Sequence, residues 1–374
     1  MKQVKIIGNY LPQYHRIPEN DKWWGEGYTD WVAVKKSKPL YEGHRQPRVP
    51  MDEYYYDLSD VNSLKWQAEL ARQYGIYGFG IYHYWFSDDL HLLGKPAELL
   101  LEHPEIDINY MFIWDNGSWK RTWSNIKGYT NVWAPSFDTK QQCVDNGMLA
   151  ELVYGDERNW KAHFDYLLPF FKDSRYIKID GKPVFAFFSQ YNNHELILKM
   201  TKYWNKLAID NGLPGVTSMG KHVRNMRSGL DYEYYYEPQK HAWEPHVNNL
   251  WEKGIYKISN FLKKFRPGIE FFQYDRVWQR ILSDAKKNQN PRCYYGAFAR
   301  YDDTPRRGEN GKVIKDDSPA KFENYMKQLV KISEAQDKEY IFVTAWNEWG
   351  EGAYLEPDTG TKLGYLEAIQ RSNT

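Results

Sequence analysis

Short apolar runs bounded by turn residues alternate along the chain with longer segments whose apolar side chains recur every three to four positions. The runs are "VKIIGNY" (4–10), "GFGIYHY" (78–84), "INYMFIW" (108–114), "PVFAFFS" (183–189), "GVTSMG" (215–220), "DYEYYYE" (231–237), "CYYGAFA" (293–299) and "YIFVTAW" (340–346). Uniformly apolar runs of this length suit strands buried on both faces, as in a parallel sheet. In 61–74, Val61, Leu64, Ala68 and Ala71 share one helical face, with Asp60 as N-cap and Gly75 at the far end. In 321–333, Phe322, Tyr325, Met326, Leu329 and Val330 form one stripe, and 159–173, 194–210, 247–265, 274–288 and 362–371 carry the same period. Strands alternating with helices imply parallel pairing. Eight such units predict an α/β fold, a single (β/α)8 TIM barrel spanning residues 1–374. The competing open, doubly wound sheet wants a Gly-rich phosphate loop after the first strand, where this chain has "NYLPQYH".

Two connections break the rhythm: 11–58 after strand one and 115–158 after strand three. Loops this long are usually functional or disordered, and their Trp and Tyr content argues against disorder. With no internal repeat, linker or low-complexity segment, the chain reads as one domain.

Composition sharpens this. Tyr 31, Trp 16 and Phe 17 give 17% aromatic residues among 374. Tyr and Trp join an apolar face to a polar tip. They suit either large core positions or a cleft for a flat-faced, hydroxyl-rich ligand such as a sugar. The balance of 50 basic against 49 acidic residues offers no basic face for nucleic acid. Two cysteines, Cys143 and Cys293, cannot form a disulfide framework or a cysteine-rich metal site. The first residues read as a strand rather than a signal sequence, and no apolar run approaches the ~18 residues of a membrane span, so a cytoplasmic location is expected.

The active site of such a barrel lies at the C-terminal ends of its strands. Those ends carry Tyr10, Gln13 and His15; His83, Tyr84 and Trp85; Trp114, Asp115 and Asn116; Tyr236 and Glu237; and Asp302 with Asp303. The last strand runs into "AWNEWGEGAYLEP" (345–357), with Trp346, Asn347, Glu348, Trp349, Glu351 and Glu356. Chemistry at a glycosidic bond needs two carboxyl groups, and Glu348 and Glu351 supply both from one loop. Trp346, Trp349 and Tyr354 can wall them with low-dielectric surface, which raises a carboxyl pKa. A bare ExxE is more often a solvated acidic loop; its place after the last strand favours catalysis. Glu356 reads as structural or as a hydroxyl acceptor, and His83 as a polar sugar contact rather than a core residue or metal ligand. Trp24 and Trp31 in the first long loop are candidates to stack on a sugar. "SDD" (87–89) and "YDDT" (301–304) could hold a metal and a nucleotide diphosphate, but Asp302 contacting a substrate hydroxyl is preferred, and no metal or cofactor is expected. "KKSK" (35–38) and "PRR" (305–307) read as solvated faces, with contact to an anionic sugar the weaker alternative.

The block "NYLPQYHRIPENDKWWGEGYTDWVAVKKSKPLYEGHRQPRVP" (9–50), with "ARQYGIYGFGIYHYWF", "WKRTW", "YDDTPRR" and "AWNEWGEGAYLEPD", resembles the WbsX-type glycosyltransferase family in order and spacing from first strand to last. That family is similar in architecture to the family 99 glycoside hydrolases, (β/α)8 endo-α-mannosidases. Its members are typically encoded with genes for O-antigen and capsule assembly. The resemblance therefore implies glycosyl transfer in bacterial surface polysaccharide assembly, on an oligosaccharide or activated-sugar substrate. Peripheral membrane contact follows if that substrate is lipid-linked. The family 99 enzymes carry a similar Glu-Trp-x-Glu. It implies a retaining site in which Glu348 is base toward the sugar's 2-hydroxyl and Glu351 is acid and base toward leaving group and acceptor. The chain departs from the family pattern at Gly117, where a glutamate is usual, and at Tyr301–Asp303, where Trp-Asp-Asn is usual. The alternatives are a glycoside hydrolase or transglycosidase acting on an α-linked oligosaccharide, and a non-catalytic sugar-binding barrel.

Overall fold

The computed structural model describes residues 3–120, 148–189, 193–223, 228–243 and 268–373. The expected helix at 247–265, Cys143 and most of "WKRTW" lie outside them. Among the described residues, eight parallel strands close on themselves: β1 Lys5–Tyr10, β2 Ile76–Ser87, β3 Asn109–Trp114, β4 Lys182–Phe187, β5 Thr217–Lys221, β6 Tyr232–Tyr234, β7 Cys293–Phe298 and β8 Tyr340–Thr344. Each pairs with its neighbour in sequence, and β1 pairs with both β2 and β8, with Ile6 opposite Ile76 and Ile341. The fold is thus the (β/α)8 barrel that the alternating pattern predicts.

The connection after β1 is not plain loop. It folds two short helices, α1 Pro18–Trp24 and α2 Asp30–Lys36. The remaining helices are α3 Val61–Gln73, α4 Lys95–Glu102, α5 Glu157–Lys172, α6 His194–Asp210, α7 Gln239–Ala242, α8 Tyr274–Lys287, α9 Thr304–Arg307, α10 Pro319–Ala335 and α11 Gly364–Ser372. Asp60 caps α3 by accepting from the Asn62 N–H, as expected, and Asp156 and Asn159 form a capping box on α5. The sequence pattern missed α4 because it holds eight residues, about two turns. None of the described helices is long and apolar enough to cross a membrane.

Side-chain parity decides what reaches the site, because successive residues of a strand point to opposite faces. Outward residues pack the strands onto the helices: Phe112 on Phe170 at 5.0 Å, Phe185 on Trp204 at 5.1 Å and Phe298 on Trp278 at 5.5 Å between ring centres. Inside, the Asn9 amide donates to Thr344 Oγ1 at 3.2 Å, and Tyr234 packs on Phe342 at 5.1 Å. On β2, Tyr82 and Tyr84 therefore point inward with Tyr236 and Gln13, whereas His83 and Trp85 point out to α5.

Candidate active site

Glu348 and Glu351 sit on a tight hairpin just past β8. Asn347–Glu348 pairs antiparallel with Ala353–Tyr354 around a single 3-10 turn, Trp349–Glu351. Gly352 closes that turn at φ +56, where other residues are strained, and a Cβ there would stand 3.0 Å from the Asp302 carbonyl. Asn347 ties the hairpin to the β1 loop, its Oδ1 accepting from Leu11 N–H at 2.7 Å and its Nδ2 donating to Leu11 O at 3.0 Å. The Trp349 N–H donates to Tyr14 Oη at 2.9 Å, and its indole stacks on Tyr354 at 3.6 Å.

One cation joins the two glutamates. Arg306, from α9 after β7, places Nη2 2.9 Å from Glu348 Oε1 and Nη1 3.2 Å from Glu351 Oε1. Its Nη2 also lies 2.9 Å from Asp30 Oδ2, at the start of α2. Arg306 and Asp30 are buried, with side-chain exposures of 3% and 0%, and Glu348 has 7%, whereas Glu351 keeps 21%. Gly350 makes room for this arrangement: a Cβ there would stand 2.9 Å from Arg306 Cζ. The expectation that "PRR" forms a solvated face is overturned at Arg306. The short helix turns this side chain into the barrel mouth, where three carboxylates compensate its desolvation. Arg307, half-buried, pairs instead with Asp303 at 2.9 Å.

Three carboxyl groups thus share one guanidinium in a largely buried site. Burial pushes the Glu348 carboxyl well above its usual range; Arg306 opposes this, while Glu351 and Asp30 add to it. Burial raises Asp30 against the opposing pull of Arg306, with Glu351 adding to the rise. Asp30, Tyr14 and Arg306 were not anticipated. What could have exposed Arg306 is its position: a residue soon after β7 falls at the same barrel end as the glutamates.

Around this core the mouth carries Gln13, Tyr82, Tyr84, Asp115, Lys221 and Tyr236. The Gln13 amide donates to Tyr84 Oη at 3.0 Å. Tyr84 feels the charges of Asp115 and Glu348, and Tyr236 those of Glu351 and Glu348. Burial lifts Asp115 to about 6 against the pull of Lys221. The Lys221 ammonium lies 3.8 Å over Phe188 and 5.6 Å from Tyr236. Among the described residues, a Cβ on Gly117 would meet Asp115 Oδ1, at 3.9 Å.

Other expected contacts point elsewhere. His83 Nε2 lies 2.8 Å from His163 Nε2 on α5, and burial drops its pKa to about 3. Trp85 stacks on His163 at 4.5 Å, and Trp114 Nε1 donates to Trp85 O at 2.9 Å. Glu237 turns outward to His241, with Nδ1 2.5 Å from Oε1. Tyr10 donates to Gln67 on α3 at 2.7 Å, and Trp346 packs on Phe79 at 5.2 Å. Asn116 clasps Ser189, accepting from its N–H at 2.7 Å, and His15 is buried with its pKa lowered by desolvation. Trp24 packs on Tyr28, and Trp31 donates to Tyr56 O at 2.8 Å beneath Trp349. Glu356 is fully engaged by Gln67, Tyr56 and Trp349 at 2.7, 2.8 and 2.6 Å. Asp302 spends Oδ2 on His44 and Gln46, both at 2.8 Å, and Oδ1 on Thr304. These side chains build the walls of the mouth or the layer behind it.

Among the described residues, one group of metal-capable side chains converges: His222, Glu233 and Cys293, with ligand atoms within 4.8 Å. It lies beside Tyr235, not beside the glutamates, and burial pushes the Cys293 thiol up to about 12.

The Glycosyltransferase WbsX family matches residues 6–369 of this chain. The chain belongs to that family. Membership, together with the barrel, puts it among carbohydrate-active enzymes. It is 27% identical over 378 residues to the protein WxcX of Xanthomonas campestris pv. campestris strain B100, covering 99% of this chain and 49% of that protein. The chain thus spans about half the length of the curated relatives it matches. Among solved structures it is similar to the GH99 endo-alpha-mannosidase from Bacteroides thetaiotaomicron in complex with bis-tris-propane. The TM-score is 0.57, with 14% identity over 98% of this chain and 95% of that one. A glycoside hydrolase-like protein gives TM-score 0.57 at 10% identity, over 100% and 94% of the two chains. At these identities the likeness concerns the fold.

Proposed function

We propose that the chain catalyses glycosyl transfer with retention, at Glu348 and Glu351, in the assembly of a bacterial surface polysaccharide. The observation that carries this is the Arg306 clamp, with the two carboxylates of one hairpin on one guanidinium at 2.9 and 3.2 Å. The family membership and a fold like that of an endo-α-mannosidase support a sugar substrate.

In the first step Glu348 takes the proton of the sugar's 2-hydroxyl as O2 attacks C1. The bond from C1 to the leaving oxygen breaks, and Glu351 protonates that oxygen. In the second step Glu351 takes the acceptor's proton as the acceptor opens the 1,2-anhydro ring at C1, and Glu348 returns its proton to O2. Two inversions give retention. Burial raises the proton affinity of Glu348, and Arg306 at 2.9 Å opposes this and favours the carboxylate, the form that can take the hydroxyl's proton. The greater exposure of Glu351 suits the residue that must meet both the departing group and the incoming acceptor. In this reading Tyr84 and Tyr236, which feel the charge of Glu348, contact the sugar. Hydrolysis would differ only in admitting water as acceptor.

The test is to incubate the protein with nucleotide sugars, and separately with α-linked oligosaccharides, and to follow product by mass spectrometry. Turnover of an oligosaccharide without a nucleotide donor overturns transfer from an activated sugar. Sugar binding without turnover of either substrate overturns catalysis.

A further inference from the structure

Asp30 stands behind the glutamate clamp. It is the first residue of α2, and its side chain is 0% exposed, whereas Glu348 and Glu351 keep 7% and 21%. The next residue, Trp31, has its ring 5.5 Å from that of Trp349 and 4.5 Å from that of Tyr14. Tyr14 Oη in turn accepts from the Trp349 N–H at 2.9 Å. The start of α2 is thereby packed onto the turn that carries Glu351, which fixes Asp30 relative to both glutamates.

The hydrogen bonds of Arg306 show what Asp30 does there. Nη2 donates to Asp30 Oδ2 at 2.9 Å, and Nη1 donates to Glu351 Oε1 at 3.2 Å. Glu348 Oε1 lies at the same 2.9 Å from Nη2, yet it accepts no hydrogen bond among the described residues. The guanidinium is turned toward Asp30, and it meets Glu348 Oε1 through charge rather than through a shared proton. An N–H in line with a carboxylate oxygen favours the charged form and so weakens that oxygen as a base. A general base needs the oxygen within hydrogen-bond reach of the proton it takes. The groups facing Glu348 are Arg306, Glu351, Asp30 and the hydroxyls of Tyr14, Tyr84 and Tyr236. Those facing Asp30 are Arg306, Glu351, Tyr14 and Tyr28. Burial raises the Glu348 carboxyl most; Arg306 opposes the rise, and the charge of Asp30 adds to it.

We infer that Asp30 is a positioning residue: it draws an Arg306 Nη2 proton to itself, so that one guanidinium bridges both glutamates while Glu348 Oε1 stays open to the sugar's 2-hydroxyl. The inference rests on the reading of Glu348 as the base. Asp30 does not touch the sugar; it acts through Arg306. Without its charge the guanidinium is drawn to Glu348, the acceptor already 2.9 Å from Nη2, and the base weakens.

The experiment compares Asp30→Asn with the parent, full chain in both cases, by two measurements. The first needs no substrate: NMR of a chain carrying carbon-13 at the glutamate side-chain carboxyls, with the Glu348 signal assigned by its loss in Glu348→Gln. Its titration midpoint should fall by about one pH unit, the size expected when a neighbouring like charge is removed. The second uses whichever nucleotide sugar or oligosaccharide turns over in the assay above. There kcat should fall at least about tenfold, as for a misplaced catalytic group, with KM near the parental value, and the acid limb of the pH profile should move to lower pH. A merely structural residue would lower activity without moving midpoint or limb. Asp30→Ser serves if the Asn variant loses the parental circular dichroism. A midpoint that stays or rises in a folded variant overturns the inference, even where Glu348→Gln abolishes turnover. Parental turnover in Glu348→Gln overturns the reading of Glu348 itself, whatever the midpoint does.

Discussion

Gly350 and Arg306 share one space: a side chain on the first would have to displace the guanidinium of the second. A Cβ on Gly350 would fall 2.9 Å from Arg306 Cζ and 3.0 Å from Nη2. Those guanidinium nitrogens are what hold Glu348 and Glu351 together. Gly350→Ala should therefore disturb the clamp more than the fold. Misplacing a catalytic group by about 1 Å can cost ~100-fold in rate, and overpacking a buried site costs about 1–3 kcal/mol. The expected outcome is at least a tenfold loss of kcat with a folded protein, measured by kinetics beside thermal denaturation. Unchanged kcat would separate the clamp from the chemistry.

Glu351→Gln keeps the shape of the side chain but cannot give or take a proton. Turnover should fall by about 10²–10⁴, the usual contribution of a positioned acid or base, while sugar binding persists. Glu348→Gln should do the same. In the Glu351 variant a small external nucleophile such as azide should restore part of the lost rate by replacing the acceptor, a rescue that a structural role would not show. Near-normal activity in either variant would sink the assignment.

Parity separates contacts that look alike in sequence. Tyr84 and His83 are neighbours, yet one faces the glutamates and the other faces α5. Tyr236→Phe should lower kcat/KM with little loss of stability, because its hydroxyl is in the mouth near Glu351. His83→Ala should destabilise by about 2–5 kcal/mol, as for other large-to-small changes in a core, and leave the kinetics of the folded fraction near normal. A KM effect from the His83 change exceeding that from Tyr236 would contradict the orientation. The same comparison shows what was legible. Eight apolar runs placed all eight barrel strands, since buried parallel strands declare themselves by composition. The polar residues at their ends were found, but periodicity alone could not say which parity faced inward, so His83, Trp85, Trp114 and Glu237 stood beside Tyr84 and Tyr236 as equals. Asp30 and Arg306 were missed for another reason. Their burial depends on each other across 276 positions, and only the folded chain brings the charges together.

Glu356 should make stability depend on pH in a defined direction. Burial raises its carboxyl to about 7, although donors from Trp349, Gln67 and Tyr56 oppose the rise. In the unfolded chain the same group titrates at its ordinary value of 4.5. Between these values the native state holds a proton that the unfolded state has lost, so the stability change with pH is negative. The contribution is complete below about 4.5, falls as pH rises toward 7, and is gone above it. Asp115 and Asp303, both raised to about 6 by burial, act in the same sense over a lower window. Melting temperature should therefore fall between pH 5 and pH 8. Glu356→Gln should flatten the slope from pH 5 to 7, because the titrating group is gone. A variant with the full parental slope would show that the proton sits elsewhere, and Asp115→Asn would then be the next residue to measure.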